Sequence, residues 1–419
     1  MTDLSRRAAL TAALAGPALA LGDTSARADQ PHSLRGTVDG DAVELPKLHE
    51  DSEVEGPTTN FDPLTRRLGV AIVGLGHLAI DQILPGTLTS KHIRVTALVS
   101  GDPAKARAIA AQYNVPDRNL YSYDNFDQIK DNPAIDFVYI VLPNNMHEEY
   151  TIRAARAGKH VLCEKPMATA PDQAERMIAA CRQAGRLLMV TYRLQYNPYH
   201  RALVRMARSG EYGPIRAITA VNGQNDRPDG QWRQVLKQAG GGSLPDVGLY
   251  CLSAARYITG EEPIEITAQL TQPKDDPRFR EVEDIAAFTL RFPSGVLATC
   301  MSGYSHHDTR TLSVMLAKAT ISMDPAFGYE GLQLQIARKI DGAASIDHRH
   351  HPDKNQFATE MDHFADCIRA NRTPHTPGEE GLQDQRLIAA IYQAAQAGTP
   401  VKIPPVAGQD TTRGPSPVE

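Results

Sequence analysis

The sequence predicts two domains: an α/β domain with a parallel sheet, followed by an α+β domain with an open, mostly antiparallel sheet. Between residues 67 and 192, apolar strand-like runs alternate with helical segments, which is typical of a parallel sheet covered by helices. Between residues 193 and 403, strand-like runs follow one another and two helices come last. At 419 residues the chain is long enough for two cores.

The composition indicates a soluble globular protein. Hydrophobic residues make up 42% of the chain and the formal net charge is -5, so nothing favours nucleic acid or a membrane surface as a partner. No apolar run reaches the roughly 18 to 20 residues of a membrane span. The cysteines are five, an odd number, and widely spaced, which predicts buried thiols rather than a disulfide framework: Cys163, Cys181, Cys251, Cys300 and Cys367.

Three segments are expected to lie outside the two domains. Residues 1–28 are predicted to be a signal peptide, because Arg6 and Arg7 precede an Ala/Leu-rich stretch and 26–28 offers a small-x-small cleavage site. The paired arginines favour the twin-arginine route to the periplasm, with an ordinary secretory signal as the alternative. Residues 29–66 read as an extended arm or a flexible linker, and 404–419 as a disordered tail.

The first strand leads into a glycine turn that is predicted to bind a dinucleotide. The turn reads Gly74-Leu75-Gly76-His77-Leu78-Ala79, which is the G-x-G-x-x-A form of the fingerprint. Gly74 permits the turn, Gly76 lets the backbone approach a pyrophosphate, and Ala79 allows the helix to pack on its strand. An ordinary glycine turn is the alternative. The strand–helix pairs that follow favour a Rossmann domain.

The other elements are expected from hydrophobic period and turn residues. In the first domain we expect strands at 93–99, 135–142, 160–163 and 187–191 and helices at 103–113, 145–157 and 171–184. In the second we expect strands at 215–221, 264–270, 285–292, 296–302 and 312–316 and helices at 198–209, 356–370 and 378–397. Pro293-Ser294-Gly295 predicts a hairpin turn.

The end of the second strand indicates which dinucleotide is bound. A carboxylate that would hold the ribose 2′-hydroxyl of NAD is replaced by Ser100-Gly101, and Lys105 follows. A hydroxyl and an ammonium suit a 2′-phosphate, so the sequence predicts NADP. Lys105 as a merely solvated helix residue is the alternative.

Two further strand ends should meet at the same edge of the sheet. Pro143-Asn144 and His147 follow one strand, and Glu164-Lys165-Pro166 follows the next. We expect Pro143, Asn144, His147, Glu164 and Lys165 to face the cofactor, with a surface salt bridge as the alternative for Lys165.

In the second domain a glycine-rich stretch, 240–250, opens a helix with Asp246 and Tyr250 one turn apart, on one face. A carboxylate and a phenol beside Lys165 would form a proton-transfer group. The alternatives are a capping role for Asp246 and a core position for Tyr250.

These motifs resemble the glucose-fructose and aldose-aldose oxidoreductase branch of the Gfo/Idh/MocA superfamily over about residues 67–403. The resemblance is carried by Gly74-Leu75-Gly76, Ser100-Gly101, Glu164-Lys165-Pro166, Tyr192-Arg193, Gln231-Trp232-Arg233, the stretches 240–250 and 260–265, and Pro377-Gly378-Glu379-Glu380-Gly381. It implies tightly held NADP, catalytic roles for Lys165, Asp246 and Tyr250, and cofactor contacts from Arg193, Trp232 and Arg233. It also implies a homo-oligomer, dimer or tetramer, whose arm reaches a neighbour's cofactor.

The expected reaction is oxidation of an aldose at C1 with Tyr250 as base, followed by return of the hydride to a second sugar. Rival readings are a dehydrogenase with exchangeable NADP, an NAD-dependent glycosidase and a non-catalytic NADP-binding regulator. The chain departs from the resemblance at Pro245 and at five histidines, which are expected to alter the sugar pocket or lie on the surface rather than bind metal: His306, His307, His348, His350 and His351.

Overall fold

A computed structural model describes residues 66–225, 228–352 and 354–417, together with the backbone of two short strands nearer the N-terminus. These strands, β1 (Thr37–Asp39) and β2 (Ala42–Glu44), pair antiparallel. The signal peptide and the remainder of the predicted arm lie outside the described residues.

The first domain is a Rossmann fold, as predicted. Its parallel strands lie in the order β5-β4-β3-β6-β7-β8, and the order reverses between β3 and β6, where such sheets open a crevice for ligands. The strands are β3 (Leu68–Val73), β4 (Ile93–Val99), β5 (Leu120–Tyr121), β6 (Phe137–Ile140), β7 (His160–Glu164) and β8 (Leu188–Thr191). The helices are α1 (Leu84–Thr89), α2 (Pro103–Tyr113), α3 (His147–Arg156) and α4 (Pro171–Gln183).

The second domain is built on a sheet with strand order β16-β15-β14-β13-β9-β12-β11-β10-β17. All neighbours pair antiparallel except β9 and β12, which are parallel, so the sheet is mixed rather than purely antiparallel. Its strands are β9 (Ile215–Gly223), β10 (Glu265–Thr271), β11 (Ile285–Arg291), β12 (Leu297–Gly303), β13 (Thr309–Leu316), β14 (Ala319–Met323), β15 (Leu334–Ile340), β16 (Ala343–Arg349) and β17 (Val401–Lys402). Its helices are α5 (Pro198–Arg208), α6 (Leu236–Ala239), α7 (Leu249–Thr259), α8 (Gln356–Ala370) and α9 (Gly378–Ala397).

The predicted hairpin at 293–295 is confirmed, because it joins the antiparallel pair β11 and β12. Strands β14, β15 and β16 were not predicted. Buried residues alternate in β14, but the alternation fades in β15 and β16, where Ile340 and Ile346 are exposed, so the period that identifies a half-buried strand is weak in these two strands.

Helix α8 packs on the parallel sheet of the first domain although it comes late in the chain. Phe357, Met361 and Phe364 follow a helical spacing and are buried in the same apolar cluster as Ile80 and Phe137. The chain therefore crosses back to the nucleotide domain after the second sheet, and the N-terminus of α8 comes to lie at the cleft between the two domains.

The tail is ordered as far as the structure describes it, and the prediction of disorder there is wrong for residues 405–417. The Arg413 side chain is fully buried and donates to Glu380 (2.7 Å) and to Asp410 (2.9 Å). The sequence of the tail is polar and proline-containing, but Glu380 on α9 supplies a buried anion for Arg413. A buried ion pair, rather than apolar packing, holds the segment.

Glu380 belongs to a buried ionic cluster centred on Arg256 of α7. Arg256 contacts Glu262 at 2.8 Å, Glu380 at 2.9 Å and Asp384 at 2.5 Å, and its side chain has no exposed surface. Burial would raise the pKa of Glu380, but Arg256 and Arg413 together hold it at about 2. Burial raises the pKa of Asp384 to about 6. We call this set the Arg256 cluster.

All five cysteines are buried and unpaired, as predicted. None of the helices in the described part of the chain is long and apolar enough to cross a membrane.

Candidate active site

A cleft of about 770 Å³ lies at the carboxyl ends of the parallel strands and is closed on its far side by the second domain. It takes in seventeen of the eighteen residues predicted for the site: Gly74, Leu75, Gly76, His77, Leu78, Ser100, Gly101, Lys105, Pro143, Asn144, Glu164, Lys165, Arg193, Trp232, Arg233, Asp246 and Tyr250. Further lining residues, which the sequence did not single out, include Tyr123, Asn222, Gln224, Arg310, Phe327, Tyr329 and Phe357.

The glycine turn fits a dinucleotide. Gly74 has φ +97°, and a Cβ there would lie 2.4 Å from Val141 O, so only glycine can occupy the position. A Cβ on Gly76 would meet nothing within 4 Å, which leaves its backbone open toward the cleft. The chain then enters a π-helical turn, Ala79–Ile83, that continues into α1. This geometry supports the sequence-based interpretation over an ordinary glycine turn.

The loop after β4 presents a hydroxyl to the same cleft. Ser100 is buried, and its Oγ accepts a hydrogen bond from the Asp102 amide at 3.0 Å, which leaves the hydroxyl proton available to a ligand. The Asp102 carboxylate caps α2 by accepting from the amides of Ala104 and Lys105. The backbone hydrogen bond from Lys105 lowers the pKa of Asp102. Ser100 and Lys105 thus line the part of the cleft where the sequence places a 2′-phosphate.

His147 does not line the cleft, and the prediction that it contacts the cofactor is wrong. Its ring is fully buried, with Nδ1 2.9 Å from Pro166 O and Nε2 2.9 Å from Leu142 O. It therefore joins the loops that follow β6 and β7 from beneath. The neighbouring Asn144 does line the cleft and donates from Nδ2 to Ala239 O of the second domain at 2.8 Å.

Lys165 follows β7, and its ammonium faces the second domain. Nζ donates to Asp246 Oδ1 at 3.1 Å and to Asp246 O at 2.9 Å. It also lies 4.5 Å from the centre of the Tyr250 ring. Burial by itself would lower the pKa of Lys165, but Tyr250, Asp246 and Glu164 outweigh it and raise the pKa. Lys165 is therefore a cation at neutral pH.

Asp246 is held by groups from three parts of the chain. Besides Lys165, it pairs with Arg233 Nε at 3.2 Å and accepts a hydrogen bond from the Tyr304 hydroxyl at 2.6 Å, both at Oδ2. It lies in a π-helical turn, Leu244–Gly248, that precedes α7. Tyr304 is 2% exposed and follows β12, where nothing in the sequence marks it as a site residue.

Tyr250 opens α7 and lies between two cations. The Arg193 guanidinium carbon lies 4.8 Å from the centre of the Tyr250 ring, and Lys165 Nζ lies 4.5 Å from the same point. Arg193 Nε also donates to the Tyr250 hydroxyl at 3.1 Å. Lys165, Asp246 and Tyr250, predicted to act together, therefore do meet in one cleft, and neither a capping role nor a plain core position describes them.

Below the cleft, Glu164 and Glu360 share the hydroxyl of Tyr139, at 2.8 and 3.4 Å. Burial raises the pKa of both carboxyl groups, and that of Glu360 well above its usual range. Glu360 comes from α8, so the returning helix contributes an acid that sequence reasoning placed nowhere near the site.

The histidines that depart from the family pattern form no metal centre in the described residues, where no group of three or more His, Cys, Asp or Glu side chains could hold an ion. His306 packs against Gly223 and Gly303, and His351 stacks edge-on against Tyr199.

The fold and cleft define a two-domain, dinucleotide-binding protein with a lysine, an aspartate and a tyrosine at the interdomain face. Residues 68–192 match the family model described as "Oxidoreductase family, NAD-binding Rossmann fold", and residues 200–322 match the GFO/IDH/MocA C-terminal domain. The chain belongs to the Gfo/Idh/MocA oxidoreductase family.

Several relatives act on sugars. The aldose-aldose oxidoreductase from Caulobacter crescentus, solved in complex with glycerol, is 44% identical and superimposes with a TM-score of 0.78, covering 81% of this chain and 100% of that one. A 3-ketoreductase from Actinomadura kijaniata, solved with NADP and TDP-benzene, is 27% identical with a TM-score of 0.70, covering 78% and 98%. The D-xylose 1-dehydrogenase [NADP(+)] of Haloarcula marismortui is 29% identical over 80% of this chain and 92% of its own.

Proposed function

We propose that this protein is a sugar oxidoreductase with tightly bound NADP, exported to the periplasm. It oxidises an aldose at C1 to the lactone and passes the hydride to a second sugar, fructose or another aldose, which becomes the alditol. The observation that carries the proposal is the convergence of Lys165, Asp246 and Tyr250 in a cleft whose fold is shared, at 44% identity, with an aldose-aldose oxidoreductase.

The residues of the cleft fit NADP. The open backbone at Gly76 would receive the pyrophosphate, and Ser100 with Lys105 would bind the 2′-phosphate. When bound, the nicotinamide accepts a hydride from the first sugar and supplies it to the second. Arg233 and Trp232, whose side chains stack at 4.3 Å, border the same cleft and would help to enclose it.

Tyr250 is the proton-transfer residue. Its phenolate takes the C1 hydroxyl proton of the aldose, and the phenol later returns that proton to the carbonyl oxygen of the acceptor, so protons balance over the cycle. Lys165, which stays an ammonium, stabilises negative charge on the reacting oxygen. Asp246 fixes Lys165 through the contacts at 2.9 and 3.1 Å and is in turn fixed by Tyr304 and Arg233.

Export and a closed hydride cycle support each other. The twin arginines of the predicted signal point to export after folding, and a protein outside the cytoplasm has little free NADP to draw on. An enzyme that regenerates its own cofactor within one cleft meets that constraint. The family resemblance further leads us to propose a homo-oligomer, dimer or tetramer.

The cofactor state is tested first. Purified mature protein should release NADP or NADPH on denaturation without any having been added. A single aldose donor should then reduce about one nicotinamide per subunit and stop, seen as one burst of absorbance. Protein that is empty, or that carries NAD, contradicts the proposal.

The second test concerns kinetics and products. With glucose and fructose as the pair, gluconolactone and sorbitol should form together, and double-reciprocal plots at several acceptor concentrations should be parallel. Parallel plots are expected because both sugars use the same Lys165, Asp246 and Tyr250 in turn. Intersecting plots would exclude a ping-pong cycle.

A dehydrogenase with exchangeable NADP is the second candidate, favoured by the similarity to the D-xylose 1-dehydrogenase. It predicts steady production of NADPH whenever free NADP and one aldose are supplied. The burst experiment, repeated with added NADP, separates the two functions.

A further inference from the structure

We propose that Arg193 is a positioning residue for the base: its guanidinium orients the Tyr250 hydroxyl and supplies the main positive charge that stabilises the Tyr250 phenolate. The role assigned to Arg193 rests on the proposed function, since it acts through the base of that reaction. The cofactor contact that the family resemblance implies for Arg193 stays a prediction beside this role.

Hydrogen bonding distinguishes the two cations beside Tyr250. Arg193 Nε donates to the phenolic oxygen at 3.1 Å, and no other described residue does so. Lys165 instead approaches the face of the Tyr250 ring. Its Nζ donates to two oxygens of Asp246, the backbone carbonyl and Oδ1. A positive charge at the phenolic oxygen lies closest to the negative charge of the phenolate. It therefore stabilises the phenolate more than a positive charge over the ring centre does.

The two cations also differ in how far nearby anions neutralise their charge. Lys165 is paired with the Asp246 carboxylate, so its field at Tyr250 is partly cancelled. The remaining bonds of Arg193 go to neutral oxygens: Phe327 O at 2.8 Å, Gly328 O at 3.1 Å and Gln356 Oε1 at 3.0 Å. Within the described residues no carboxylate lies at ion-pair distance from Arg193, which is 5% exposed.

A buried cation without a counter-charge is costly, and a phenolate 3.1 Å away would supply one. The other charged or titratable groups that face this pair come from several neighbouring elements. They are Glu164 and Lys165 after β7, His200 on α5, Asp246 on the π-helical turn, Arg233, Tyr329 from the β14–β15 loop, and Glu360 on α8. Glu164 and Glu360 are protonated more readily than usual because burial raises the pKa of each, so they neutralise Arg193 poorly.

The anchoring of Arg193 also makes its position rigid. Its three neutral partners lie on the β14–β15 loop and at the first residue of α8, and Gln356 donates in turn to Tyr329 O at 3.1 Å. The guanidinium face lies 4.6 Å from the Tyr329 ring. Two segments distant from Arg193 in sequence, the β14–β15 loop and the start of α8, thus fix the donor that meets Tyr250.

The first test needs no sugar. The near-ultraviolet tyrosinate absorbance is titrated in wild type and in Tyr250→Phe, and the difference isolates Tyr250. In Arg193→Gln, which keeps a hydrogen-bond donor but removes the charge, the Tyr250 midpoint should rise by about one pH unit or more. Lys165→Met should raise it less, because Arg193 still donates to the phenolic oxygen and Arg233 still pairs with Asp246.

The second test follows the two half-reactions separately against pH. Because Tyr250 must be ionised for donor oxidation and protonated for acceptor reduction, the acid limb of the first and the alkaline limb of the second should both move to higher pH in Arg193→Gln. At neutral pH, donor oxidation should fall about tenfold or more, while acceptor reduction changes less. Arg193→Lys, which keeps a cation, should bring both limbs back toward wild type.

A purely structural role predicts slower half-reactions with unmoved limbs, and that result would overturn the proposal. So would a larger midpoint shift in Lys165→Met than in Arg193→Gln. If Arg193→Gln does not fold, Lys165→Met still decides, since a rise of about one pH unit or more in its Tyr250 midpoint would make Lys165, and not Arg193, the main source of positive charge. Failure of the proposed function shows differently: wild-type protein would reduce no nicotinamide with any aldose, while the tyrosinate titration would be unaffected.

Discussion

Arg256 and Arg193 are both buried in this protein, and their surroundings could hardly differ more. Arg256 is surrounded by the carboxylates of Glu262, Glu380 and Asp384. Arg193 contacts two backbone carbonyls, one amide oxygen and the hydroxyl of Tyr250. The charge of Arg256 is neutralised by these carboxylates, whereas Arg193 has only neutral partners among the described residues.

Under the proposed function, the difference separates a charge that stabilises the fold from a charge that takes part in the reaction. A buried arginine ringed by acids fixes α7, α9 and the tail against one another, and any change to it leaves an unpaired charge. A buried arginine that lacks an anion favours the formation of one nearby, which is what a catalytic phenol requires. The comparison predicts that substitutions around Tyr250 lower activity, whereas substitutions in the Arg256 cluster lower stability.

The largest effect is expected at the base. Tyr250→Phe should lose about a hundredfold to ten-thousandfold in donor oxidation, because the proton acceptor is removed while the cofactor cradle is intact. Lys165→Ala should behave similarly. Rates of reduction of the bound nicotinamide measure the effect, and Tyr212→Phe, which removes a hydroxyl outside the cleft, is the matched control. Activity of either cleft variant within a few-fold of wild type would mean that the assigned roles are wrong.

In the Arg256 cluster the effect should fall on stability. Arg256→Met leaves three buried carboxylates without their shared cation and should lower the free energy of unfolding by about 3–5 kcal/mol. Urea unfolding followed by circular dichroism measures the loss. The activity per folded molecule should be retained at a temperature where the variant is native, and a stable but inactive variant would contradict the division between the two regions.

The pH dependence of stability should also arise in the Arg256 cluster. Because the arginines hold the pKa of Glu380 at about 2, its charge stabilises the fold above about pH 4.5, and this contribution of at most about 3 kcal/mol is lost as the pH falls toward 2. The urea midpoint of wild type should therefore fall more steeply over this range than that of Glu380→Gln. Asp384, with its pKa raised to about 6, acts in the opposite sense between about pH 4 and 6, so Asp384→Asn is the matched comparison. Equal slopes in wild type and Glu380→Gln would rule out Glu380 as the source.

The smallest effect is expected in the tail. Arg413→Gln removes the ion pairs to Glu380 and Asp410, but Arg256 still neutralises Glu380, so the loss should be about 1–3 kcal/mol. Limited proteolysis should show the tail cut earlier than in wild type, with no change in sugar turnover. A tail that is cut equally fast in both proteins would show that Arg413 does not hold it.

The sequence by itself determined the Rossmann domain, most helices, the family and the meeting of Lys165, Asp246 and Tyr250 in one cleft. Each of these depends on a local signal. Gly74 needs a positive φ, Asp246 and Tyr250 are one helical turn apart, and helices 356–370 and 378–397 have the apolar period and flanking residues that set their ends. Burial of the cysteines likewise follows from their apolar neighbourhoods.

Only the tertiary structure decided how distant residues compensate one another. It placed His147 beneath the cleft, brought Glu360 and Gln356 to the site on the returning helix α8, and set Tyr304 on Asp246. It also ordered the tail by giving Arg413 a buried partner, and it brought Arg193 to the hydroxyl of Tyr250. No local period encodes these contacts, because a buried charge or hydroxyl is satisfied by whichever group the fold brings within about 3 Å, whatever its separation along the chain.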